Sequence, residues 1–211
     1  AGGQFPDASI TELPGLVKSS AAGSPAYWGL YKAGLMRGFD DIKVVGLYMT
    51  SVNLLHSRTP IHKIEDIKGM KLQSSGPRFG DFVRNVGGTA VYMPAPEIAQ
   101  SLSTGVIDGT TVDWTGFVTF KLENLIYNHF EMPLGGISFV IAMNKQKWES
   151  LSPAAKAAID KFGGMAMAKS GGIAYDLGGR ERRDRVAKDK RHHFVEPSEA
   201  EQEAAFAKYA A

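Results

Sequence analysis

Residues 65–114 read EDIKGMKLQSSGPRFGDFVRNVGGTAVYMPAPEIAQSLSTGVIDGTTVDW. Short apolar runs alternate in this stretch with segments of helical period, and Gly, Pro or Ser marks each switch. Lys71–Ser75 is strand-like. Phe79, Phe82, Val83 and Val86 then fall at i, i+3, i+4 and i+7, one face of a helix that Gly87 and Gly88 close. Ala90–Met93 is a second apolar run. Pro94 and Pro96 precede a short helix through Leu102, ended by Gly105, and Val106–Gly109 opens a third strand. Strand, helix, strand, helix, strand in so short a span predicts parallel βαβ units, whose ligands sit at the carboxyl ends of strands. Ser74–Arg78 and Thr110–Trp114 are therefore the expected binding edge.

The remaining chain frames this block. Residues 1–23 read as a loop or extended entry. Ser24 and Pro25 suit a helix start for Ala26–Met36, and Ile42–Tyr48 is a buried strand. Phe117–Tyr127 reads as helical and Ile137–Met143 as a strand. Ser152 and Pro153 open a long helical stretch towards Lys190, with breaks expected at Gly163-Gly164 and Gly171-Gly172. Those glycine pairs cost about 1 kcal/mol per residue against Ala, which points to close packing or bending. Phe194-Val195 is a last short strand, and Ser198 with Glu201 forms a capping box for a terminal helix, Ser198–Ala211.

A chain of 211 residues with 44% hydrophobic and 22% charged residues holds a full core, as one large α/β domain or two small lobes. Its net charge of +2 argues against a nucleic-acid partner, and the basic run Arg180–Arg185 is interleaved with acids like a solvated helix face. Cysteine is absent, which excludes disulfides and thiolate chemistry but decides no compartment. No run is long enough to insert in a membrane. The five histidines lack the spacing of a zinc site, and neither a nucleophile elbow nor a phosphate loop is present. No catalytic constellation, metal site or cofactor motif emerges.

Three segments carry a family resemblance: EDIKGMKL (65–72), GGTAVYMPAPEIAQSLSTGVIDG (87–109) with its T-G-V-I-D-G turn, and IAMNKQKWESLSPAAKAAI (141–159). In order and spacing they resemble the substrate-binding proteins of TRAP transporters, the tripartite ATP-independent periplasmic systems that import organic acids. FPDASITELP (5–14) extends the likeness over nearly the whole chain. The resemblance implies a periplasmic-binding-protein-like α/β fold of two lobes, with mixed, mainly parallel sheets and a long bridging helix. It assigns residues 1–50 and 137–180 to the first lobe and 51–136 and 181–211 to the second. It also implies a chain truncated at both ends, a periplasmic location, a small organic acid ligand and TRAP membrane subunits as partners. The competing readings are an enzyme (a lyase or transferase) on a similar scaffold, and a sensor that signals to a protein partner.

The family commonly places an arginine at the end of the strand after K-G-x-K to pair with the ligand carboxylate; here that position is Gln73, a neutral amide. Arg78 is the nearest arginine, at the start of a helix whose free amides, with Ser74 and Ser75, form an anion cradle. The alternative is a surface arginine paired with Asp81. Trp114 is read as an apolar wall or as core packing against Phe117. Asp113 suits a ligand hydroxyl, and Asn53 a ligand contact or a turn cap. Val112 stands where the family has an asparagine. Tyr27 and Trp28 are expected mainly in the core.

Overall fold

The computed structural model describes residues 4–210. A 3-10 helix, Pro6–Glu12, precedes α1 (Ser20–Lys32) and β1 (Ile42–Met49). β2 (Leu54–Ser57), β3 (Lys71–Ser74), α2 (Pro77–Asn85), β4 (Thr89–Val91), α3 (Ile98–Ser103) and β5 (Gly109–Val112) follow. Then come α4 (Trp114–Thr119), β6 (Asn128–Phe130), β7 (Ser138–Asn144), α5 (Lys145–Glu149), α6 (Pro153–Phe162), α7 (Gly164–Val186), β8 (His193–Val195) and α8 (Glu199–Ala210). Two sheets result: β1 with β7, antiparallel, and a six-stranded sheet ordered β4-β3-β5-β2-β6-β8.

The quoted block folds as its alternation requires. β4, β3 and β5 are parallel neighbours, so the carboxyl ends of β3 and β5 lie side by side. β2 joins this trio antiparallel to β5 and to β6, and β6 runs parallel to β8. Both faces of such a sheet must be covered. On one face Leu72, Phe79, Phe82 and Val83 pack with Leu55 and Ala205 of α8; on the other Ile98, Leu102, Phe117 and Val186 pack with Leu54 and Val112. Phe5, Tyr27, Phe39, Val44 and Leu47 form a separate core against the two-stranded sheet.

Several expectations are corrected. Pro6–Glu12 and residues 20–23 are helical in place of the expected loop: Ser19 caps α1 through Ala22 N–H, and Asp176 of α7 accepts from the amides of Ser20 and Ala21 at 3.0 and 2.8 Å. The distant carboxylate starts the helix a turn early, and Pro25 lies inside it. The helix expected over Phe117–Tyr127 stops at Thr119, with Lys121 at φ 57°, because Asn128–Phe130 is drawn into the sheet between β2 and β8. The short strands β2 and β6 had no periodic signal. α7 breaks from α6 at Gly163 but runs straight through Gly171-Gly172. The capping box of α8 forms as read, with Ser198 Oγ accepting from Glu201 N–H and the Glu201 carboxylate from Ser198 N–H.

Gly172 explains the unbroken helix: a Cβ there would lie 2.5 Å from the Ser20 carbonyl oxygen, so α1 and α7 touch backbone to backbone. Gly29 of α1, by contrast, faces open space.

Buried polar groups tie the layers together. His56, His129 and His192 form a chain with N···N distances of 2.8 Å, and His56 Nε2 lies 3.1 Å from the Val112 carbonyl oxygen. That carbonyl fixes His56 with its proton on Nε2, so His129 donates to it from Nδ1 and accepts from His192 at Nε2. Burial pushes the His56 pKa down to about 3 and lowers that of His129 as well. Glu12 is 7% exposed, lies over Gly76 at the start of α2, and accepts from Arg78 N–H at 3.3 Å. Burial raises its pKa from 4.5 to about 7, against the opposing pull of Arg78.

Two tests follow from this packing. Gly172→Ala should lower stability by about 1–3 kcal/mol through helix separation, outweighing its propensity gain of about 1 kcal/mol. Gly29→Ala should raise stability by about 0.5–1 kcal/mol; thermal melts giving both variants the same sign would contradict the assigned contacts. The Glu12 contribution is fully present below pH 4.5 and is lost as pH rises through about 7. The histidines act oppositely, losing stability as pH falls below 6.5. Subtracting the Glu12→Gln variant in urea unfolding isolates the first effect. The wild-type chain should lose about 3 kcal/mol relative to the variant between pH 4.5 and 8; a difference independent of pH would refute the buried-carboxyl account.

Candidate functional site

Two short segments carry the chain directly between the two sheets. Residues 50–53 link β1 to β2, and residues 131–137 link β6 to β7. These crossings are paired: Thr50 N–H donates to Ile137 O at 2.9 Å, Asn53 N–H to Gly135 O at 2.6 Å, and Leu134 N–H to Asn53 O at 2.9 Å. Beside them, at the carboxyl ends of β3 and β5, lies a cavity of about 370 Å³. Its polar lining comes from Thr50, Asn53, Ser75, Asp113, Thr115 and Thr119; its apolar walls include Val112, Phe120, Ile137, Phe139 and Tyr175.

Asn53 is 2% exposed, and its Nδ2 has no hydrogen-bond partner. A buried donor left unmatched costs about 1–3 kcal/mol, so its place in a cavity wall fits a group that awaits an acceptor. The Thr115 hydroxyl, buried beside Asp113, also lacks a well-formed hydrogen bond. Asp113 caps α4, accepting from the amides of Gly116 and Thr115 at 3.1 Å each and from Ser51 Oγ at 3.0 Å. Burial raises its pKa, and these donors oppose the rise. One further donor from a ligand fits the remaining lone-pair capacity of the carboxylate.

Asn53, Asp113 and Ser75 thus share one cavity wall; the other three sequence candidates stand elsewhere. Gln73 is fully buried behind Ser75, accepting from Thr110 Oγ1 and donating from Nε2 to Met93 O at 3.3 Å and to Ser75 Oγ at 3.5 Å. Trp114 packs in the core against His56, Phe117 and His129, and its indole N–H donates to Glu131 at 3.0 Å. Glu131 holds Arg183 of α7 in a bidentate pair at 2.7 and 2.6 Å, so Trp114 fastens the long helix to the sheet. Arg78 lies outside the cavity lining: its side chain is 46% exposed and reaches Asp81 at 3.4 Å. The carboxylate of Glu12 already stands at the head of α2, where the sequence suggested an anion cradle.

Thr50, Thr115, Phe139 and Tyr175 complete the cavity without having been anticipated. Thr115 adjoins Asp113 at the expected edge and was within reach of the strand-end rule. Tyr175 comes from the middle of α7, and nothing local to it marks a site.

Known proteins sharpen the picture. A solute-binding protein of Albidiferax ferrireducens is 28% identical over 130 residues, covering 59% of this chain and 38% of its own length. The C4-dicarboxylate-binding periplasmic protein DctP of Rhodobacter capsulatus is 23% identical over 167 residues, covering 78% and 49%. The chain thus spans half or less of these two relatives. Among solved structures, a TRAP solute-binding protein of an unidentified marine microbe, specific for aromatic acids and bound to 3-hydroxybenzoate, superposes with a TM-score of 0.90 at 30% identity, covering 98% of this chain and 67% of that one. A TRAP solute-binding protein of Rhodoferax ferrireducens with copurified benzoate gives 0.93 at 26% identity, covering 100% and 67%. The family model for bacterial extracellular solute-binding proteins, family 7, matches residues 2–210, and the chain belongs to that family.

Proposed function

We propose that this chain is the ligand-binding part of a periplasmic receptor that holds a small organic acid anion between two lobes and delivers it to TRAP membrane subunits. The observation that carries the reading is the unpartnered Asn53 amide in the wall of the cavity beside the crossing strands. Residues 1–50 with 137–180 form the first lobe in this reading, and 51–136 with 181–211 the second, with α7 bridging them. Ligand contacts to Phe139 and Tyr175 on one side and to Ser75 and Asp113 on the other favour the closed arrangement, because the open one separates them. The reading contains no chemical step.

An aromatic monocarboxylate suits the cavity best. Phe139 and Tyr175 stack with ring centroids 6.0 Å apart and an interplanar angle of 26°, a flat wall for a ring. The volume lies in the range of small-ligand pockets. The 3-hydroxybenzoate and benzoate carried by two related structures support the same class. Asn53 and Asp113 hydrogen-bond ligand oxygens, Ser75 borders them, and Gln73 positions Ser75. Trp114 acts at one remove, through Glu131 and Arg183. Arg78 stays at the mouth of α2, paired with Asp81.

Titration with benzoate, 3-hydroxybenzoate, mandelate and malate, read by calorimetry and thermal melting, tests this. An acid at 100 times its dissociation constant should stabilise the chain by about 2.7 kcal/mol. Asn53→Leu, of similar shape, should melt within about 1 kcal/mol of the parent and weaken that acid about 10-fold or more. A folded chain that none of the acids stabilises would remove the receptor reading. Undiminished affinity in Asn53→Leu would move the site elsewhere.

A further inference from the structure

An acid ligand raises an electrostatic problem in this cavity, which is lined by the carboxylate of Asp113 and, among the described residues, by no Lys, Arg or His. A ligand carboxylate beside Asp113 would meet a like charge in a poorly hydrated place. The strand-end position holds Gln73, which is engaged on both sides of its amide. Arg78 is spent on Asp81. The ligand's charge must therefore lie at the opposite end from Asp113, against a cation outside the cavity proper.

One face of α7 leads to such a cation. Tyr175, Gly179 and Arg182 stand at i, i+4 and i+7. Tyr175 lines the cavity, and a Cβ at Gly179 would lie 2.9 Å from Ser51 Oγ and 3.9 Å from Thr115 Oγ1. One turn further along both helices, Arg182 and Thr119 line an adjoining hollow of about 190 Å³, and Thr119 lines the main cavity too. The step from Thr115 to Thr119 on α4 thus matches the step from Gly179 to Arg182 on α7. Burial first and Tyr48 next raise the Tyr175 phenol pKa; the charge of Asp113 adds to the rise and that of Arg182 opposes it.

Arg182 is also uncommitted. It is partly buried, donates at 3.0 Å to the Gly178 carbonyl of its own helix, and makes no ion pair among the described residues. Its neighbours are occupied: Arg183 by Glu131 and Glu196, and Arg185 by Glu123. Glu181 lines the same hollow but is exposed and pairs with neither. Resting on the receptor reading above, we infer that Arg182 carries the ligand's carboxylate at the Thr119 edge of the cavity. It takes over the part of the strand-end arginine that Gln73 lacks, while Asn53 and Asp113 read a hydroxyl or other oxygen at the far end. A ligand with a carboxylate at one end of a ring and a hydroxyl towards the other matches both poles.

The test compares a carboxylate with its uncharged twin. Whichever of benzoate, 3-hydroxybenzoate, mandelate and malate binds tightest is titrated beside its primary amide into the parent chain, Arg182→Gln and Arg78→Gln. Arg182→Gln should weaken the carboxylate about 10- to 100-fold and leave the amide within about twofold. Arg78→Gln should leave both ligands within about twofold. Unliganded melting should be alike in all three proteins, since Arg182 bonds only within its own helix. Equal loss of both ligands in Arg182→Gln would make it a packing residue and overturn the assignment, as would a carboxylate-specific loss in Arg78→Gln instead. If Arg182→Gln keeps full affinity for the acid, the assignment alone falls. If the parent binds no acid, the receptor reading falls and takes the assignment with it.

Discussion

The paired crossing of residues 50–53 and 131–137 is the constraint on which the rest depends. It brings both sheets to one place and satisfies the backbone groups of both connections at once. It tolerates little variation: Gly135 adopts φ 93°, and a Cβ there would lie 2.6 Å from the Thr11 carbonyl oxygen. Thr11 fastens the segment on the other side, its hydroxyl donating to Gly136 O and its carbonyl accepting from Gly136 N–H, each at 2.8 Å. Because these backbones are fixed, Thr50, Asn53 and Ile137 project into the cavity without any helix or strand of their own to hold them.

α7 serves as the second frame, and its faces do different work. Gly172 lets it lie directly on α1, and Asp176 caps that helix. Tyr175 and Gly179 form the cavity side. Arg183 turns to the six-stranded sheet, where Glu131, Trp114 and the ring of Phe194, with the guanidinium 4.9 Å from its centroid, hold it. Gly172 and Gly179, which look costly for a helix, are thus positions where another backbone and the Ser51 side chain approach. Packing outweighs propensity here because a displaced helix loses many contacts, while a glycine costs about 1 kcal/mol.

Electrostatics separates this chain from the simplest pattern its resemblance implies. A neutral Gln73, sealed by Thr110 and Met93, contributes order but no charge. The helix start at Arg78, attractive as an anion site, is already filled by Glu12, whose raised pKa records how few donors it finds there. What remains at the cavity is a carboxylate, an unmatched amide and an aromatic wall, a set that rewards a ligand with an apolar body and separated polar ends.

The sequence by itself determined the local and the periodic. Residues 65–114 specified β3, α2, β4, α3 and β5 and their parallel direction, because helix and strand periods and turn residues are properties of neighbours along the chain. The same rule placed Ser75 and Asp113 at the ends of adjacent strands. The family was legible too, in motifs whose spacing survives in the linear chain. Tertiary structure alone decided the rest. Asn128–Phe130 became a strand only because β2 and β8 supply partners, and α1 began at Ser20 only because Asp176 reaches it. Trp114 went to the core and Arg78 to the surface because burial and ion pairing depend on what folds against them. Tyr175 entered the cavity, and Arg182 the hollow beside it, from a helix distant along the chain, and only packing against α4 brings them there.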